Sequence, residues 1–145
     1  RSPFCNMSRR SAREVVFKLV FEFSFLKERN EKSLELFLAD AKLTEDDRDY
    51  IVNTYRGITE NYDRLLAVIS DCTEGYVVER IYRPDFAALI LAAFELIYLP
   101  EVPSSVAISE AVELVKRYSS EKSNKFVNGV LASVLKATRG ADDGK

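Results

Sequence analysis

The run Phe86–Phe94 (FAALILAAF) carries no polar side chain, and the apolar character continues to Leu99 with Glu95 as its one charge. A segment without a polar face has to be surrounded on every side. Pro84 suits the first turn of a helix and Pro100 its end, so the run predicts one central buried helix. With Glu95 inside it, the stretch falls short of the roughly 20 apolar residues that span a bilayer. Whatever else the chain forms must therefore wrap around this helix.

The flanking segments have the periodicity to do so. Ser8–Lys27 places Ala12, Val15, Val16, Leu19, Val20, Phe23 and Leu26 on one helical face, with Ser8 as N-cap. Glu31–Lys42 reads as a short helix with Leu34, Phe37, Leu38 and Ala41 inward. Thr44 through Asp47 form a variant capping box, with acids in the first turn of the next helix. That helix carries Ile51, Tyr55, Ile58, Tyr62, Leu65 and Ile69 at spacings of 4, 3, 4, 3 and 4, a bundle seam. The seam suits intramolecular packing or, equally in pattern, a coiled-coil dimer. Gly75 marks a break. After the central helix, Ser104–Tyr118 turns Ala107, Ala111, Leu114, Val115 and Tyr118 inward, with Glu110, Glu113 and Arg117 opposite. Lys122–Ala137 does the same with Val127, Val130, Leu131 and Val134. Asn128-Gly129 is a hairpin signal, but it lies within a 3.6-residue period, which overrides it. The expected fold is an all-α bundle of six or seven helices, divided near Gly75 into two small subdomains.

The 145 residues suit one domain. Residues 7–138 are expected to form it, with Arg1–Asn6 an added remnant ahead of Met7 and Arg139–Lys145 a flexible tail. The chain has no histidine, which excludes Ser-His-Asp and Cys-His catalysis and helical histidine zinc sites. Cys5 and Cys72 are too few for a cysteine zinc cluster or a disulfide framework, so a reducing, cytoplasmic setting is expected. No signal peptide or membrane span is visible. Glu95 finds no second carboxylate, metal set or nucleophile nearby in the pattern, and reads as a hydrogen-bonded core residue rather than an acid or base. Asp46, Asp47 and Asp49 lack calcium-loop spacing.

Net charge is −2, so an anion-binding site has to be local. Arg9, Arg10, Arg13 and Lys18 against Glu14 give one cluster of +3, and Lys116, Arg117, Lys122 and Lys125 against Glu121 give another. Each is a phosphate footprint or a solvated helix face. Phe17, Phe21 and Phe25 recur every four residues on the first helix, away from its main apolar face. Rings beside arginines suit single-stranded RNA, whose bases stack while its phosphates take the charge. The same stripe also suits packing against other helices. Phe126, bordered by Lys122 and Lys125, offers the same two readings, and Gly129 in that helix suits a close approach.

SRRSARE (Ser8–Glu14), FAALILAAFELIYLPEVP (Phe86–Pro103) and VPSSVAISEAVELVKRYSSEKSNKFVNGVL (Val102–Leu131) together resemble the NusB family of bacterial transcription antitermination factors. The resemblance runs from Met7 to about Lys136. It implies an all-helical RNA-binding protein in two subdomains, without enzymatic activity or cofactor. It implies boxA-type RNA of ribosomal RNA leaders as ligand, the ribosomal protein NusE as partner, and the elongating RNA polymerase as destination. The family's arginine-rich start corresponds to Arg9, Arg10 and Arg13, its first-helix aromatic to Phe21, and its KFVNG segment to Lys125–Gly129. The expected RNA-binding set is Arg9, Arg10, Arg13, Lys18, Phe21, Lys122, Lys125 and Phe126. Two alternatives accompany it: the RNA-binding front domain of a ribosomal RNA methyltransferase, and a protein-interaction or homodimer module that uses the Phe stripe.

Overall fold

A computed structural model describes residues 3–140, with side chains from Arg9 onward. Its helices are α1 (Pro3–Leu26), α2 (Glu31–Leu38), α3 (Glu45–Glu60), α4 (Tyr62–Cys72), α5 (Arg83–Tyr98), α6 (Ser104–Tyr118) and α7 (Glu121–Thr138), with a 3-10 turn at Val78–Arg80. No strand occurs among the described residues, and no helix is long and apolar enough to cross a membrane.

α5 is the axis of the bundle. Every residue from Asp85 to Leu96 is buried, and α1, α3, α4, α6 and α7 all pack against it. An amphipathic helix stabilises itself by covering one face, whereas α5 depends on neighbours all round. Truncating a side chain such as Leu89, which is fully enclosed, costs about 2–5 kcal/mol. The N-terminal helices α1–α4 and the C-terminal helices α5–α7 meet along it. Between the two halves, Gly75 takes φ +80, a left-handed conformation that favours glycine.

Four expectations are corrected. α1 begins at Pro3, so Ser8 lies inside the helix instead of capping it. α2 stops at Leu38 and leaves Ala41 exposed, because Arg48 hydrogen-bonds the carbonyls of Leu38 and Asp40 just past its end. The predicted long helix is two, α3 and α4. At the break both the backbone amide and the side-chain amide of Asn61 donate to the Gly57 carbonyl, at 3.0 and 2.8 Å, so the side chain competes with the helical ladder. The seam from Ile51 to Ile69 nevertheless stays buried through the break. Finally, Arg139 is anchored rather than part of a loose tail. Its guanidinium donates to the carbonyls of Glu95, Leu96, Leu99 and Val102, clustered where α5 ends and the next turn begins. Residues 141–145 of the expected tail and Cys5's side chain lie outside the described residues.

Two predicted caps are present in substance. Thr44 Oγ1 accepts from the Asp47 amide at 3.1 Å, with Glu45, Asp46 and Asp47 filling the first turn of α3. Pro84 sits in the first turn of α5.

Candidate nucleic-acid interface

The three arginines of α1 are all bound to carboxylates. Arg9 Nε donates to Asp47 Oδ1 at 2.8 Å, its Nη2 donates to Asp46 Oδ2 at 3.0 Å, and its guanidinium lies 4.4 Å from the Tyr50 ring centre. Arg10 grips Glu110 of α6 through two hydrogen bonds, at 3.2 and 2.8 Å, while its side chain remains 55% exposed. That hydrogen bond and the charge of Glu110 raise the Arg10 pKa.

Arg13 is a different case. It is 6% exposed, and its Nε donates to both oxygens of Glu95, at 3.3 and 3.0 Å. Glu95, 1% exposed, also accepts from the Tyr50 hydroxyl. Burial opposes the Arg13 charge, but Glu95 and Tyr50 outweigh it and the pKa rises. Burial first, then the Glu95 charge, push the Tyr50 hydroxyl well above its ordinary range. This charge set ties α1, α3 and α5 together inside the core. Arg13 is therefore removed from the expected surface set, because its guanidinium is enclosed and spent on Glu95. Glu95 is the hydrogen-bonded core carboxylate expected of it.

The phenylalanine stripe divides. Phe17 is core, its ring 5.0 Å from that of Tyr118. Phe21 is half-buried and meets Phe25 edge-on at 5.1 Å. Phe25 is 59% exposed, and the Arg83 guanidinium stands 5.8 Å from its ring centre and 5.4 Å from that of Phe86. Lys18 is exposed on the same helix.

Next along α5 from Arg83 opens a groove of about 190 Å³, lined by Tyr76, Arg80, Tyr82, Asp85, Lys122 and Phe126, with Ile81 and Ser123. Phe126 is half-buried and its ring lies 4.8 Å from that of Tyr76. Lys122 and Lys125 are exposed. Asp85 is 4% exposed; its Oδ2 accepts from Ser123 Oγ at 2.7 Å, while Oδ1 is buried with no partner among the described residues. An enclosed carboxylate oxygen without a donor costs free energy, so it marks a place where a ligand N–H or O–H is favoured.

Of the expected residues, the structure thus brings Lys122 and Phe126 to one groove. Phe21 meets Phe25, and Phe25 meets Arg83, outside the residues that line the groove. Arg9, Arg10 and Arg13 face acids on other helices. Sequence reasoning missed Tyr76, Arg80, Tyr82, Arg83 and Asp85. The signal was present in GYVVERIYR (Gly75–Arg83), which interleaves tyrosines and arginines in a segment read only as a break. No cluster suited to a metal ion occurs among the described residues.

A family model described as the NusB family matches residues 10–136. The transcription antitermination protein NusB of Acetivibrio thermocellus is 36% identical over 138 residues, covering 95% of each chain. Among solved structures, NusB of T. maritima aligns with a TM-score of 0.83 and 33% identity, over 95% of this chain and 94% of that one. Another, of the antitermination factors NusB and NusE in complex with dsRNA, aligns with a TM-score of 0.80 and 26% identity, over 90% of this chain and 98% of that one.

Proposed function

The chain belongs to the NusB family, and on that footing we propose that it is an RNA-binding transcription antitermination factor. It acts as an adaptor in the cytoplasm, without enzymatic chemistry. Its RNA is of the boxA type in ribosomal RNA leaders, bound jointly with a NusE-type ribosomal protein and delivered to the elongating RNA polymerase.

The observation that carries this reading is the unpaired Asp85 Oδ1 in a groove rimmed by Tyr76, Tyr82 and Phe126. A base entering the groove stacks on a ring, and its amino or imino N–H supplies the donor that Oδ1 lacks once the Asp85 side chain turns toward it. Arg80, Lys122 and Lys125 then lie beside the phosphates, and Lys18 adds charge near Phe21. Arg10 reaches RNA only by exchanging Glu110 for a phosphate. Arg9 and Arg13 serve the fold.

Fluorescence anisotropy on a boxA-type RNA and a scrambled control, with and without the NusE-type partner, tests the reading. Partner-enhanced, sequence-selective binding that weakens with salt is expected. Phe126→Ala removes a stacking surface worth about 1–3 kcal/mol, or roughly 5- to 150-fold in affinity. Absence of binding to either RNA with the partner present refutes the proposal. Loss of thermal stability with unchanged affinity in Phe126→Ala returns that ring to the core.

A further inference from the structure

The arginines of this protein differ in what already holds them. From Arg9 onward, Arg9, Arg10, Arg13, Arg29, Arg56 and Arg117 are paired with carboxylates. Arg48 and Arg139 are spent on backbone carbonyls, and Arg64 donates to the Tyr98 hydroxyl. Arg80 and Arg83 alone among these described arginines have neither an ion pair nor a hydrogen bond from the guanidinium. Arg80 is exposed on the groove wall, and Arg83, next in the chain to the groove's Tyr82, stands 5.8 Å from the Phe25 ring centre and 5.4 Å from that of Phe86.

A phosphate that displaces a carboxylate from an arginine regains little, because one charge-assisted pair replaces another. A phosphate that meets an unpaired guanidinium gains the full contact and releases its own counterion. The ring faces on either side of Arg83 limit where its guanidinium can go, which lowers the ordering cost of binding. The exposed Phe25 ring beside it provides a second stacking surface.

Resting on the RNA-binding reading above, we propose that Arg80 and Arg83, rather than the arginines of α1, make the arginine–phosphate contacts of this protein, and that Phe25 with Arg83 stacks a base adjacent to the one in the Asp85 groove.

The test is a salt series of anisotropy titrations on a single-stranded boxA-type RNA, comparing wild type with Arg80→Ala/Arg83→Ala, Arg83→Lys, Arg10→Ala and Phe25→Ala. Each phosphate contact to a single strand contributes about 0.7 to the slope of log K against log salt. The double variant is expected to lower that slope by about 1.4, whereas Arg10→Ala leaves it unchanged. Arg83→Lys keeps the charge and the slope, which separates electrostatics from packing on Phe86. Phe25→Ala is expected to weaken binding about 5- to 150-fold with the slope retained. An unchanged slope in the double variant, or a slope lost in Arg10→Ala instead, overturns the assignment. So does a double variant that binds RNA normally but loses the NusE-type partner. Failure of wild type to bind any RNA, visible before a variant is made, refutes the RNA reading itself and the assignment with it.

Discussion

Replacing Arg13 with Met is expected to destabilise the protein far more than an arginine-to-apolar change on a helix surface. The Glu95 carboxylate is enclosed, with Arg13 Nε on both oxygens and the Tyr50 hydroxyl as further donor. Removing the cation leaves a buried charge with one neutral partner, which costs about 3–5 kcal/mol. Unfolding entropy near 2.1 cal/mol/K per residue gives about 0.3 kcal/mol/K for this length, so Tm falls by roughly 10–16 °C. The triple variant Arg13→Met/Tyr50→Phe/Glu95→Leu removes the whole polar set and is expected to recover most of that loss, because paired burial of charge gives little net stability over apolar packing. Calorimetric melts of the single and triple variants read both quantities. A Tm loss under 3 °C for Arg13→Met refutes the assignment of Arg13 to the core. A triple variant no more stable than the single one refutes the account of why the single one fails.

Three further predictions concern the helix contacts. Burial opposes the Glu14 charge, but hydrogen bonds from Tyr118 and Arg117 and the charges of Arg117 and Lys18 outweigh it, so its carboxyl titrates below the usual 4.5. A depressed folded-state value means stability that is present above the unfolded value and lost as pH falls through the folded one. Glu14→Gln is therefore expected to melt lower at pH 7, with the gap to wild type closing below about pH 4.5. Gly57→Ala puts a Cβ 2.5 Å from Phe94 Cζ and 2.7 Å from Cε1, and that ring is itself stacked on Tyr98 at 5.0 Å. The clash is expected to cost about 1–3 kcal/mol in a denaturant titration, with the slope unchanged. Arg139→Ala uncovers the carbonyls at the end of α5 and is expected to cost about 1.5–3 kcal/mol, or roughly 5–10 °C in Tm.

What the sequence made legible follows from what periodicity encodes. The apolar run at Phe86–Phe94 announced α5, and the inward faces of α6 and α7 stand where their spacing put them. Breaks set by side-chain competition were harder to read. Asn61 looks like any polar residue of a helix face until its amide is seen on the Gly57 carbonyl. Charge was legible as position but not as availability. Arg9, Arg10 and Arg13 form a basic cluster in the sequence, yet their acids arrive from Asp46, Asp47, Glu95 and Glu110, on helices distant in the chain. The groove residues Tyr76, Arg80 and Tyr82 flank or belong to a 3-10 turn, where no helical period highlights a face. Asp85 reads as an ordinary acid in the first turn of α5; only its enclosed, unpaired oxygen marks it as something more.

The central claim is that RNA occupies the groove between the start of α5 and the start of α7. Amide and side-chain NMR shifts of the isotope-labelled protein, followed during titration with a boxA-type RNA, test it most directly. Saturable shifts at Tyr76, Arg80, Tyr82, Asp85, Ser123 and Phe126, extending to Phe25 and absent with a scrambled RNA, are the predicted result. Shifts confined to the α1 arginines and their acidic partners, with the groove silent, would contradict it.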